Sequence, residues 1–205
     1  MSLSPANPPT WCPGCHNFLI YAGIRQAVAT LNIPAKDMVF VYDIGCVGNM
    51  ADNFSSYAIH SLHGRCVPTA LGVRLANPKL KVVAVGGDGG IYGEGLNHLL
   101  ATARANYPLT VLVANNQLYS LTTGQTSPTT PQGSRTKSTP LGSPSLPVDP
   151  ITLINASNPN AFVKSVSGTD PKSVIDAISE ALAFPGFSLV DIRQVCITFG
   201  KQIHA

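Results

Sequence analysis

The stretch VVAVGGDGG, residues 82–90, joins a run of apolar residues to four glycines around one aspartate, Asp88. The apolar run predicts a buried strand, Lys81 to Val85, and the glycines predict a tight turn before a helix. Ligands of open α/β sheets bind beyond the carboxyl ends of the strands, so this turn is a candidate site. A dinucleotide fingerprint counted from Gly87 would need a glycine where Tyr92 stands. A carboxylate beside a diphosphate also requires a cation, and oxygen ligands select Mg²⁺ or Ca²⁺.

The next predicted strand, Leu109 to Ala114, supplies the second half of this site. Asn115 and Asn116 follow it directly, and Asn116 lies 28 residues after Asp88, which is the length of one strand–helix–strand unit. Both strand ends can therefore face one Mg²⁺, with the Asn116 side chain and a backbone carbonyl such as that of Leu118 as further ligands. Either motif alone would be interpreted as a plain turn or a strand end. Together they favour a metal–diphosphate site.

Outward from this unit, short apolar strands alternate with helices. The other predicted strands are Met38 to Tyr42 and Phe187 to Ile192, and the predicted helices are His16 to Asn32, Pro68 to Ala76, Gly95 to Ala105 and Pro171 to Ala183, the last capped by Asp170. Such alternation predicts an α/β fold with an open, mostly parallel sheet flanked by helices. Thr122 to Pro150 is rich in Thr, Ser, Pro and Gly and predicts a long loop, either functional or disordered. We expect one domain, residues 17–205, after an N-terminal extension, residues 1–16.

The composition limits the classes of partner. Hydrophobic residues make up 44% of the 205 residues and charged residues only 11%, with a net charge of +3. The apolar content excludes a disordered chain, and the weak charge argues against nucleic acid as a partner. So few charges on so apolar a chain predict that another subunit covers part of the surface.

The sequence carries no signal for membrane insertion or export. Its longest charge-free stretch, Asn106 to Ser134, contains an apolar run far shorter than the roughly 20 residues that a span needs. The N-terminal MSLSPANPP lacks the basic region and apolar core of a signal peptide. We therefore expect a cytoplasmic protein with no membrane partner.

The cysteines suggest a second metal site. Cys12 and Cys15 form a CxxC pair that is compatible with a metal site, a redox dithiol or chance, and the absence of a preceding strand makes a redox dithiol the weaker interpretation. No second CxxC exists, so the remaining partners are the single residues Cys46 and Cys196. Four thiolates can hold a 4Fe-4S cluster, and the spacing alone leaves iron–sulfur and zinc open. Cys66 is interpreted as a small buried residue outside that site.

The order of these motifs resembles the thiamine diphosphate enzymes and, more specifically, the β subunits of 2-oxoacid:ferredoxin oxidoreductases such as pyruvate synthase. The resemblance extends from Trp11 to about Phe199. It is carried by Cys12–Cys15, Ile44-Gly45-Cys46, His63-Gly64-Arg65, Gly87-Asp88-Gly89, Asn115-Asn116 and the GQTSPTT segment, residues 124–130.

The resemblance implies the site residues. It gives Asp88, Asn116 and the Leu118 carbonyl as ligands of a Mg²⁺ that holds thiamine diphosphate, and Cys12, Cys15, Cys46 and Cys196 as ligands of one 4Fe-4S cluster. The implied cofactor contacts are Ile44, Gly45, Cys46, Val47, His63, Arg65, Gly87, Asp88, Gly89, Gly90, Asn116, Leu118, Leu121 and Thr122. For His63 and Arg65, a polar lead-in to the next helix is the alternative interpretation.

The resemblance also implies the function. With an α subunit (or a fused α/γ subunit), the chain would carry out coenzyme A-dependent oxidative decarboxylation of a 2-oxoacid of the pyruvate or 2-oxoglutarate class, with electrons passing to ferredoxin. The glutamate that activates the cofactor would come from the partner, so no catalytic residue is assigned in this chain. Two alternatives stay open: a non-redox thiamine diphosphate decarboxylase or synthase half-enzyme, and a non-catalytic iron–sulfur electron-transfer subunit.

Overall fold

A parallel β-sheet forms the centre of the protein, of which we describe residues 9–203 from a computed structural model. Within these residues the sheet has six strands in the order β2-β1-β3-β4-β8-β7, and every neighbouring pair is parallel. The strands are β1 (Met38–Tyr42), β2 (Tyr57–His60), β3 (Lys81–Gly87), β4 (Thr110–Asn115), β7 (Phe162–Ser167) and β8 (Ser188–Arg193), and a separate antiparallel pair is formed by β5 (Leu118–Tyr119) and β6 (Gln125–Thr126). The predicted open parallel sheet is therefore confirmed.

Helices cover both faces of the sheet. They are α1 (Asn17–Thr30), α2 (Cys66–Ala76), α3 (Leu96–Arg104), α4 (Pro150–Ser157) and α5 (Pro171–Ala183). Side chains of a strand alternate between faces, so Phe40 of β1 packs with α1 and α5, while its neighbours Val39 and Val41 pack with α2, α3 and α4. This two-sided burial explains why the central strands are continuous apolar runs.

The predicted elements match the observed ones closely where apolar residues are continuous. β1 has the predicted bounds, and α5 begins after Asp170, whose side chain accepts hydrogen bonds from the Lys172 and Ser173 amides. The edge strands β2 and β7 and the helix α4 were not predicted. The helix α4 starts where the predicted loop ends, at Pro150, and Asp149 caps it.

The glycine turn after β3 differs from the prediction. A π-helical turn, Gly89–Glu94, precedes α3, so the chain coils directly after Asp88. A Cβ at Gly90 would lie 2.7 Å from the Asp43 carboxylate, so only glycine fits this coil as it packs on the end of β1.

No helix within residues 9–203 is long and apolar enough to cross a membrane. The predicted extension, residues 1–16, and the signal-peptide analysis both include residues 1–8, which lie outside the described part of the chain.

Candidate functional site

A cleft lies beyond the carboxyl ends of β1, β3 and β4. It brings together all the predicted cofactor contacts except Arg65. Its lining residues are Asn17, Ile44, Gly45, Cys46, Val47, His63, Gly87, Asp88, Gly89, Gly90, Ala114, Asn116, Leu118, Tyr119, Ser120, Leu121, Thr122 and Gln194. Motifs that are far apart in the sequence thus meet in one cavity, at the position where open α/β sheets bind ligands.

Asp88 is the buried acidic group of this cleft. Only 1% of the residue is exposed, and burial raises the pKa of its carboxyl from 3.8 to about 6. Hydrogen bonds from the Ser127 and Thr129 hydroxyls and from backbone amides act against this shift, because they favour the charged form. A carboxylate kept from water in this way has a strong electrostatic preference for a nearby cation.

Asn116 and Leu118 lie on the other side of the cleft, after β4. The Asn116 Oδ1 accepts hydrogen bonds from the Leu118 amide at 3.0 Å and from the Ser120 hydroxyl at 3.2 Å. The hydrogen bond from the Leu118 amide closes the bend that leads into β5. The Ser120 hydroxyl can rotate away, so a cation can take its place at the Asn116 oxygen. Asp88 and Asn116 therefore offer one carboxylate and one amide oxygen to the same cleft, which is the oxygen chemistry that Mg²⁺ prefers.

Asp43 joins the loop after β1 to the loop that carries His63. Its Oδ1 accepts the Ile44 amide at 2.7 Å and the Gly64 amide at 3.0 Å. Burial raises the pKa of this carboxyl, and these two amides act against the shift. The Cys66 thiol also lowers the pKa of this carboxyl, so Cys66 is buried as predicted but interacts with a polar group that the sequence did not indicate.

His63 faces two carboxylates. Its Nδ1 lies 3.1 Å from Glu94 Oε2 and 3.9 Å from Asp43 Oδ1. The hydroxyl of Tyr119 lies 3.3 Å from the Gly89 carbonyl and 3.3 Å from Glu94 Oε1. Neither Tyr119 nor Glu94 was a predicted site residue, since neither belongs to a recognised motif.

Arg65 turns away from the cleft lining. Its guanidinium donates to the backbone carbonyls of Gly64 at 3.2 Å and Glu94 at 3.1 Å. In this position the side chain ties the loop before α2 to the turn that ends at Glu94.

A second cavity contains the four predicted cluster cysteines. It is lined by Thr10, Trp11, Cys12, Cys15, Asn17, Cys46, Asn49, Asn116, Ser120, Leu121, Gln194, Val195, Cys196, Ile197, Thr198 and Phe199. The indole of Trp11 donates to the Cys46 carbonyl at 2.7 Å, which fastens the segment before α1 to the loop after β1. Cys66 lies outside this cavity, as predicted.

The thiols of this cavity influence each other electrostatically. Burial, followed by the neighbouring Cys15, Cys196 and Cys12, raises the pKa of Cys46 to about 11. Among residues 9–203, no three His, Cys, Asp or Glu side chains are drawn into a metal-ligating group. Four cysteine sulfurs around one largely apolar cavity are a donor set that either a 4Fe-4S cluster or a zinc ion could use.

The two cavities adjoin. They share Asn17, Cys46, Asn116, Ser120, Leu121 and Gln194 as lining residues. Asn17 and Gln194 are both buried and joined by a 2.9 Å hydrogen bond from Gln194 Nε2 to Asn17 Oδ1. They are 177 residues apart, so no local pattern could have indicated this pair.

Comparisons with known proteins identify the family of this chain. Residues 43–192 match the family described as "Thiamine pyrophosphate enzyme, C-terminal TPP binding domain". The 2-oxoacid:ferredoxin oxidoreductase subunit beta of Saccharolobus solfataricus is 39% identical over 196 residues, which is 95% of this chain and 64% of that protein. The 2-oxoglutarate synthase subunit KorB of Archaeoglobus fulgidus is 37% identical over 191 residues, which is 93% of this chain and 71% of that protein.

A solved structure is also similar. It is the 2-oxoglutarate:ferredoxin oxidoreductase from Magnetococcus marinus with 2-oxoglutarate, coenzyme A and succinyl-CoA bound, with a TM-score of 0.93 and 35% identity over 96% of this chain and 67% of that one. The present chain spans about two thirds of the length of these proteins. From its fold, its cleft and these similarities, the chain belongs to the family of thiamine diphosphate-binding β subunits of 2-oxoacid:ferredoxin oxidoreductases.

Proposed function

We propose that this chain is the β subunit of an oxidoreductase that converts a 2-oxoacid and coenzyme A to an acyl-CoA and CO₂, with the released electron pair passing to ferredoxin. The observation that carries the proposal is the adjoining pair of cavities, one with oxygen donors and one with four cysteines. Cys46 lines both, so electrons leaving the first cavity would have a short path to the second.

The oxygen-donor cleft is suited to Mg²⁺ and thiamine diphosphate. Asp88 and Asn116 would hold the metal together with the Leu118 carbonyl, and Gly89 and Gly90 would let the diphosphate approach the backbone. When bound, thiamine diphosphate supplies the electron sink for decarboxylation. This chain's task is to bind and orient the cofactor, with His63 as a donor at the cleft.

The cysteine cavity is suited to a 4Fe-4S cluster. Cys12, Cys15, Cys46 and Cys196 would be its ligands, and the surrounding apolar residues, among them Trp11, would limit access of water. Burial of the cluster would in turn affect its reduction potential.

An α subunit, or a fused α/γ subunit, is the proposed partner at the cleft. Exposed apolar side chains lie on the edge strand β2 and just beyond it, with Tyr57 61% exposed, Ile59 37% and Leu62 78%. Ile44 and Leu121, which line the cleft, are exposed to a similar degree, 36% and 51%. Apolar residues grouped around an open cleft are typical of an interface, and the partner would bring the activating glutamate.

We also propose that residues 17–205 form one cofactor-binding domain after the extension, residues 1–16, and that the protein is cytoplasmic.

The test is an anaerobic turnover assay of the assembled α and β subunits with pyruvate or 2-oxoglutarate. We expect reduction of ferredoxin that requires both coenzyme A and thiamine diphosphate, with acyl-CoA and CO₂ formed in equal amounts. The variant Asp88→Ala should abolish turnover, whereas Asp52→Ala, a control at an exposed position, should retain it.

Two outcomes would contradict the proposal. Release of CO₂ without reduction of ferredoxin would indicate a non-redox thiamine diphosphate enzyme. An intact cluster without turnover, and with thiamine diphosphate binding unaffected by Asp88→Ala, would indicate an electron-transfer subunit.

A further inference from the structure

Two hydroxyl groups converge on a single oxygen of Asp88. Ser127 Oγ donates to Asp88 Oδ2 at 2.5 Å, and Thr129 Oγ1 donates to the same oxygen at 2.7 Å. All three residues are buried, with at most 5% of each exposed. The hydroxyls come from the GQTSPTT segment, to which the sequence assigned no role. We call Ser127 and Thr129 the hydroxyl clamp.

The clamp is attached to the buried sheet. The Thr129 hydroxyl also lies 3.0 Å from Asn115 Oδ1, and Asn115 Nδ2 donates to Asp191 Oδ1 at 3.0 Å. Asp191 receives further hydrogen bonds from the Tyr92 hydroxyl at 2.9 Å and from the Ser165 hydroxyl at 3.1 Å. These contacts join β4, β8 and β7, so the position of Thr129 is fixed relative to the strands.

The clamp is also attached to the bend that carries Asn116. The Ser127 amide donates to Thr130 Oγ1 at 2.8 Å, and Thr130 Oγ1 donates to the Gln117 carbonyl at 2.6 Å. The Gln117 side chain returns a hydrogen bond to the Thr129 carbonyl at 3.2 Å. One short segment thus fixes the carboxylate of Asp88 relative to the residue after Asn116.

This arrangement explains the two asparagines at the end of β4, Asn115 as its last residue and Asn116 directly after it. Asn115 lies under the clamp, bonded to Asp191, and does not line the cleft, whereas Asn116 does. The first asparagine therefore supports the clamp, and the second faces the cofactor position.

We propose that the hydroxyl clamp positions the metal-binding carboxylate: with Oδ2 of Asp88 held by Ser127 and Thr129, Oδ1 is the oxygen presented to a divalent cation. Ser127, Thr129 and Asn115 are then positioning residues that act through Asp88. This inference rests on the proposed function, because it requires a divalent cation in the cleft. Groups that orient a metal ligand typically change metal affinity 10- to 100-fold when they are removed.

The test measures binding rather than turnover. The assembled α and β subunits are titrated with Mg²⁺ at a fixed concentration of thiamine diphosphate, and the bound cofactor is measured by equilibrium dialysis. We expect Thr129→Val and Ser127→Ala each to raise the Mg²⁺ concentration needed for half-saturation by about 10-fold or more. Thr129→Ser, which keeps the hydroxyl, should need the same Mg²⁺ concentration as the unmodified assembly. Thr102→Val is the matched control, because Thr102 is equally buried but its hydroxyl bonds to the His98 carbonyl within α3.

The outcomes separate three cases. An unchanged Mg²⁺ requirement in both Thr129→Val and Ser127→Ala would overturn the clamp. The clamp would also be overturned if these variants lost thiamine diphosphate binding at every Mg²⁺ concentration and their cofactor-free assemblies melted at a lower temperature. That result would indicate a purely structural role. If Thr129→Val does not assemble, Ser127→Ala carries the same expectation. Failure of the unmodified assembly to bind thiamine diphosphate in a Mg²⁺-dependent manner would instead refute the proposed function.

Discussion

Replacing Asp88 by asparagine should stabilise the cofactor-free chain while abolishing metal-dependent cofactor binding. The pKa of the carboxyl is about 6 in the folded chain, against an ordinary value of 3.8. The folded state thus binds the proton more tightly than the unfolded state. The stabilisation associated with the neutral acid is fully present below pH 3.8 and is lost as the pH rises through 6. Between the unfolded value of 3.8 and the folded value of about 6, the raised pKa corresponds to about 3 kcal/mol of folding free energy lost at pH 7.5.

Asparagine has the same shape and is neutral at every pH. Its side-chain oxygen can still accept the Ser127 and Thr129 hydroxyls, but its NH₂ group cannot accept the backbone amides that also donate to the carboxylate, so the gain is an upper bound. We therefore expect Asp88→Asn to raise the free energy of unfolding by up to about 3 kcal/mol at pH 7.5, and by much less at pH 4.5. The assay is urea unfolding of the cofactor-free chain at both pH values, followed by the fluorescence of its single tryptophan, Trp11. Asp52→Asn, at an exposed position, is the control and should change little.

Addition of Mg²⁺ and thiamine diphosphate should make the parent chain more stable than Asp88→Asn. At 1,000 times the dissociation constant the ligand stabilises a binding-competent chain by about 4.1 kcal/mol, which exceeds the gain of up to about 3 kcal/mol from the substitution, and it should leave Asp88→Asn unaffected. An Asp88→Asn chain that is less stable than the parent at pH 7.5, or that differs from it equally at both pH values, would show that the buried carboxylate does not destabilise the cofactor-free fold.

Three further predictions concern single positions. Cys196→Ser should lose the visible absorbance of the proposed iron–sulfur cluster, while Cys66→Ala, outside the cysteine cavity, should retain it. Gly90→Ala should lower the free energy of unfolding by about 1–3 kcal/mol, because the new Cβ would lie 2.7 Å from a buried carboxylate. Its control, Gly72→Ala, has open space around the new Cβ and should raise the free energy of unfolding by up to about 1 kcal/mol. Asp170→Ala, which removes the cap of α5, should lower the midpoint of urea unfolding and leave cofactor binding unchanged.

Each of these predictions has a contrary outcome. Retention of the cluster in Cys196→Ser, or its loss in Cys66→Ala, would mean that the ligand set is different. A Gly90→Ala chain as stable as the parent would mean that the turn after β3 can move away from β1. A change in cofactor binding in Asp170→Ala would mean that the start of α5 is coupled to the cleft.

The central strands were predictable because they are buried on both faces. All five residues of β1 are buried, so its bounds coincide with those of its apolar run. The edge strand β2 is exposed at every position, and β7 is buried at only one of its six, so neither has a continuous apolar signal. The helix α4 was missed because its cap, Asp149, lies at the end of a segment rich in proline and serine.

The cleft was predictable to the extent that its residues lie in short motifs at strand ends. Asp88 and Asn116 were identified in this way, and the parallel register of β3 and β4 brings their strand ends together. Contacts between distant segments had no such signal. The pairing of Gln194 with Asn17 and the bond of Ser127 to Asp88 depend on how the chain returns to the sheet, which short-range patterns do not encode.

The proposed electron path is tested most directly by the content of iron, acid-labile sulfide and zinc per β chain, measured on the assembly with its partner subunit after purification without oxygen. We expect about four irons and four sulfides per chain, as for one 4Fe-4S cluster. Zinc in their place, or no metal, would contradict it, because the electron path to ferredoxin would be absent and only a thiamine diphosphate-binding half-enzyme would remain.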